Sequence, residues 1–120
     1  MKHHFTPAQV KMLVARAERQ LEQVLDDTAR HAPGSKHIAV VSRAAFDEAV
    51  VSLIRLFREH VDGAAVVATR IAREYASGAD AQSRCTTVDC AQSILRIARA
   101  AHEQYLSDTS SEQTAGPAGL

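Results

Sequence analysis

The sequence predicts an all-α protein, and three observations carry that prediction. Apolar residues recur at steps of three and four through most of the 120 residues, which is the period of an amphipathic helix. Threonines stand where those patterns begin, Thr6 ahead of Pro7 and Thr86 ahead of Asp89, as capping residues do. The breakers gather in two connections, "HAPGSKH" at 31–37 and "ASGADAQS" at 76–83.

Residues 1–6 are expected to hold little structure, and the first helix is read over roughly 7–30. Thr6 caps it, Pro7 fills its first position, and Val10, Leu13, Val14, Ala17, Leu21, Val24 and Leu25 form its apolar stripe. Pro33 and Gly34 end it. "IAVVS" is a short apolar run fit for a brief strand, after which Ser42 is read as the cap of a long central helix reaching Arg73. Phe46, Val50, Leu53, Phe57, Val61, Ala64, Ala68, Ile71 and Ala72 make one continuous stripe along it, widened by Ala49, Ile54, Ala65 and Val66. Gly63 falls in the middle, at a cost of about 1 kcal/mol relative to alanine, and is read as a close crossing by another element. Thr86 with Asp89 resembles a capping box, and Val88, Ala91, Leu95, Ala98, His102 and Tyr105 carry the third helix to about residue 106. One domain over 7–106 follows, with a polar tail at 107–120 whose composition predicts disorder.

Lys and Arg number 14, Asp and Glu also 14, so the formal net charge is zero. A generic nucleic-acid coat needs a strong cationic excess, so any DNA contact is expected to be local or shared with a partner. Cys85 and Cys90 match no zinc or redox spacing and read as thiols. No stretch resembles a signal peptide and no apolar run approaches eighteen residues, so a soluble intracellular protein without membrane contact is expected.

A central helix this long and this apolar cannot be covered by two shorter neighbours, so pairing with a second chain through that helix is expected. Its stretch "VSRAAFDEAVVSLIRLFREHVDGAAVVATRIARE" resembles the central helix of the histone-fold family, and "RCTTVDCAQSIL" resembles that family's second loop and third-helix start. Within the family the resemblance is to the centromere protein S group, through the long first helix and the extension "ARAAHEQYLSD". It covers about residues 8–107. Two features depart from the pattern: extra residues near 75–82, and Gln82 where many histones hold an arginine seven residues before the aspartate, here Asp89.

The resemblance implies a histone fold that dimerises through the central helix, with Phe46, Val50, Leu53, Phe57, Val61 and Ile71 at the seam. It implies a partner like centromere protein X, a tetramer of two such dimers, and duplex DNA bound without sequence specificity. Lys36, His37, Arg43, Arg84, Thr86 and Thr87 would face that DNA, with the second loop beside the first loop of the partner. Nuclear, centromeric roles in kinetochore assembly and in DNA repair with a helicase follow from the same likeness. Capping alone also accounts for the threonines. Two rivals remain open: a pairing subunit of a transcription-factor complex that leaves DNA alone, and a plain three- or four-helix module acting as a homodimeric adaptor.

No catalytic constellation emerges. His60 and His102 lack a second ligand at i+4, His3, His4, His31 and His37 are no better placed, and Asp26–Asp27 and Asp47–Glu48 point to different helix faces. No phosphate loop or nucleophile elbow appears, so a non-enzyme without metal or cofactor is expected.

Overall fold

The computed structural model describes residues 5–78 and 87–106. The described residues hold four helices: α1, Pro7–His31; α2, Arg43–Arg55, continued as a wider π-helical turn over Leu56–His60; α3, Ala65–Gly78; and α4, Val88–Ala101, continued likewise over His102–Leu106. The expected termini at 1–4 and 107–120, and Arg84 and Thr86, lie outside the described residues.

α1 begins as its sequence dictates. Thr6 Oγ1 accepts from Gln9 N at 3.1 Å, and Gln9 Oε1 accepts from Thr6 N at 2.9 Å, so two amides with no helical partner are satisfied reciprocally. Val10, Val14, Ala17, Leu21 and Val24 are buried, with Leu13 and Leu25 packed beside them. The stripe runs on to Thr28, which is buried while its hydroxyl accepts from Ala39 N at 3.0 Å and ties the first connection down. Gly34, at φ 78°, makes the left-handed turn there.

The central segment is the main correction. It is not one helix, because Val61 goes extended (φ −123°, ψ 112°) and Gly63 adopts φ 77°. Ala64 N then donates to Val61 O at 3.2 Å to close the turn before α3. Asp62-Gly63 is a turn dipeptide, and glycine is needed for its backbone rather than for a close approach. A Cβ built there would meet only the Tyr105 ring, at an ordinary 3.9 Å.

This break lets one chain cover much of its own apolar stripe. The second half of the stripe folds back on the first and α4 closes onto α1, each helix packed on the next; the pairings Glu18–His102, Glu22–Arg99 and His37–Thr87 run α1 and α4 antiparallel, and Phe5 against His60 sets the start of α1 at the end of α2, so the helices alternate in direction. Phe46, Val50, Leu53, Phe57 and Ile71 are fully buried and Val61 nearly so, all within one chain. The six residues expected at a dimer seam are therefore core residues of the single chain in this conformation.

Three further expectations change. "IAVVS" forms no strand; Val40–Ser42 is a 3₁₀ turn, and Ser42 makes no side-chain capping bond. The cap of α4 is Thr87 rather than Thr86, its hydroxyl accepting from Cys90 N at 3.1 Å. Phe5 is not loose: its ring meets His60 edge-on at 4.8 Å.

Polar ties hold the helices in register. Glu18 and Glu22, one turn apart on α1, meet His102 (3.1 Å) and Arg99 on α4. The Cys90 thiol, buried, donates to Glu74 O at 3.2 Å. Tyr75 on α3 donates its hydroxyl to Asp47 Oδ1 at 2.8 Å, and its ring lies 5.8 Å from that of Phe46. Burial first, and then the bonded Asp47 carboxylate, push the Tyr75 hydroxyl above its ordinary value of 10.0. A phenol with a higher pKa folded than unfolded stabilises the fold below the unfolded value, and the contribution disappears as pH rises through the folded one. Tyr75→Phe is expected to cost about 1 kcal/mol at neutral pH. It should also flatten the alkaline fall in melting temperature, read by circular dichroism between about pH 8 and pH 12.

Candidate nucleic-acid interface

Four of the six residues expected to face DNA are described, and the fold gathers three of them. The first connection and the start of α4 meet in an antiparallel bridge between His37 and Thr87, and Val88 N donates to Lys36 O at 2.8 Å. In this conformation the first connection therefore meets the start of α4 within one chain. They meet because consecutive helices alternate, which brings the end of α1 and the start of α4 to the same pole.

Local bonds shape the first connection. Ser35 N donates to Ala32 O at 3.0 Å, while Ser35 Oγ donates to His37 O at 2.9 Å and stands 3.1 Å from His37 N. Lys36 and His37 are left exposed. Arg43 opens α2, half-buried, near enough to Tyr75 to pull its hydroxyl pKa downward against the stronger effects of burial and Asp47. Asp47, one turn along from Arg43, offsets part of that cation.

The α4 terminus is less open to an anion than its position suggests. Of its first amides, Val88 N is bound to Lys36 O, Cys90 N to the Thr87 hydroxyl, and Ala91 N to Thr87 O at 3.3 Å. The Asp89 carboxylate, in the first turn, further opposes an incoming phosphate. Thr87 therefore serves as a cap, and among the described residues at this pole the exposed nitrogen-bearing side chains are those of Lys36 and His37.

Sequence reasoning missed two features here. Val40 and Val41, 82% and 78% exposed, form an apolar pair close in sequence to Lys36 and His37; a strand over "IAVVS" would bury one of them by alternation. Arg16, Arg19 and Arg55 surround an apolar groove between α1 and α2; their spacing of three on α1 was visible, their convergence with α2 was not. Among the described residues no group of three His, Cys, Asp or Glu side chains is placed to hold a metal ion, and no helix is long and apolar enough to cross a membrane.

Comparison with known proteins finds no matching family model, curated protein or solved structure.

Proposed function

We propose that the chain is a non-catalytic architectural module whose paired-loop pole rests on the phosphate backbone of duplex DNA. The observation that supports this is the His37–Thr87 bridge, which joins the exposed Lys36 and His37 to Thr87 at the start of α4, three residues after Arg84 in sequence. Phosphate contacts of this kind position a protein without reading bases. With zero net charge, few phosphates are neutralised and affinity stays modest.

Fluorescence anisotropy on a labelled duplex tests it at two salt concentrations. About three phosphate contacts should weaken binding about 40-fold between about 50 and 200 mM salt. Lys36→Ala and Arg84→Ala should each weaken binding and shrink that salt dependence, with unchanged melting temperature. Salt-independent retention, or no retention at low salt, overturns the proposal.

The histone-fold reading is the finer form of the same proposal. In it a centromere protein X-like chain is the partner, the roles are kinetochore assembly and helicase-linked DNA repair, and the setting is the nucleus. It requires residues 43–78 to straighten through Gly63 on pairing, since only then would Phe46, Phe57 and Ile71 reach a second chain. A concentration-dependent dimer in light scattering, alone or with a histone-fold chain, is its test. A second reading keeps the module and drops the DNA: Val40 and Val41 at the same pole, with the α4 amides already bonded, favour a protein partner there.

A further inference from the structure

At the other half of α1, away from the paired loops, two helices leave a groove of about 590 Å³. From α1 it takes Leu13, Arg16, Ala17 and Gln20, and from α2 Glu48, Val51, Ser52 and Arg55. Each set is spaced i, i+3, i+4, i+7, so each is one face of its helix. Seven residues of helix span about 10 Å, so the trough is long enough for two turns of a third helix. Its floor is apolar: Ala17 and Leu56 are buried, Leu13 is half-buried, and Val51 and Phe5 remain 50% and 40% exposed.

The rim is cationic. Arg16, Arg19 and Arg55 are exposed and form no ion pair with any described residue, and Glu48 is the single acid in the lining. Arg19 engages neither Glu22 nor Glu18, which are committed to Arg99 and His102 on α4. Three unpaired guanidinium groups around an apolar trough call for an occupant that is greasy on one side and carries carboxylates along its flanks.

We infer that the α1–α2 groove is the docking site for an acidic amphipathic helix of a partner protein, its leucine-type face on Leu13, Val51 and Leu56 and its carboxylates on Arg16, Arg19 and Arg55. Charge complementarity selects this occupant over the alternatives. A second copy of the chain, meeting groove to groove about a two-fold axis, would oppose arginine to arginine. The chain's own residues 107–120 contain Asp108 and Glu112 but only Leu120 as a large apolar side chain, too little to cover the floor. Helix-in-groove recognition reads anchors at i, i+3 and i+4, the spacing that the two lining faces present.

The test uses the full chain and a fluorescein-labelled amphipathic peptide of about fourteen residues, roughly four turns, with leucine on one face and glutamate on its flanks. A matched peptide carries lysine in place of every glutamate. The acidic peptide should bind, and the lysine peptide at least about tenfold more weakly, a difference that shrinks as salt rises. Arg16→Glu with Arg55→Glu should reverse the preference while leaving the melting temperature unchanged, because both side chains are exposed. Lys36→Ala should leave peptide affinity alone, so failure of the DNA proposal and failure of this one are separable. Equal binding of the two peptides, an unaffected double variant, displacement of the acidic peptide by phosphatidylserine vesicles, or a dimer that the double variant dissolves would each overturn the assignment.

Discussion

Phe57→Ala is expected to remove about 3–5 kcal/mol of folding stability, a large share of the 5–15 kcal/mol typical of a small domain. Phe57 is fully buried in the π-helical end of α2, and with Phe46 it is one of the two largest side chains wholly enclosed by the four helices. Deleting it forfeits its transfer free energy and leaves a cavity that helices tied by Glu18–His102 and Tyr75–Asp47 cannot readily close. The loss should be the same at low and high protein concentration, since one chain supplies the whole enclosure. Urea unfolding of wild type and variant at about 2 and 200 µM is the measurement. A midpoint that climbs with concentration in the wild type, and not in the variant, would instead place Phe57 between chains.

Gly63→Ala gives the second large effect, and its sign is informative. Within a continuous helix the substitution would stabilise by about 1 kcal/mol, because alanine is the better helix former. At φ 77° an L side chain is strained by about 1–2 kcal/mol, so the change should instead lower stability. Space is not the cause, since the nearest atom to the added carbon is an ordinary contact away. Thermal unfolding of Gly63→Ala beside Gly63→Asn, a side chain that tolerates the left-handed region better, isolates the backbone strain: the asparagine variant should lose less. A more stable Gly63→Ala chain would mean that residues 43–78 run as one helix in solution.

These two residues also mark how far the sequence could be read. The helical class, both ends of α1 and most core positions of α1 and the central segment followed from periodicity, because burial on one face leaves a repeat that a single chain displays; Leu56, Val67, Ile94, Ala101 and Leu106 are core residues that the stripes did not include, and Ala65 and Val66, read as widening the stripe, are exposed. The break at Asp62-Gly63 did not, since the apolar stripe continues in phase on both sides and a lone glycine within a stripe is ambiguous between a tolerated defect and a turn. The single central helix expected to reach Arg73 is therefore two helices, α2 and α3, and the residues of the expected seam fill the core of one chain. Thr28 shows a signal that was present and unused: it continues the rhythm of Val10, Val14, Ala17, Leu21 and Val24, and a polar residue in that register implies a buried acceptor. The arginine groove could not be read at all, because it depends on how α1 and α2 lie against each other.

The turn at Gly63 has one more effect, on how this molecule can be tethered. Phe5 leans on His60 and Tyr105 lies beside Gly63, so the described chain enters and leaves the bundle at the same pole. The bridge between His37 and Thr87 occupies the opposite one. A fluorophore or immobilisation handle attached at the exposed Ala8 or Gln104 would therefore sit on the far side from Lys36 and His37.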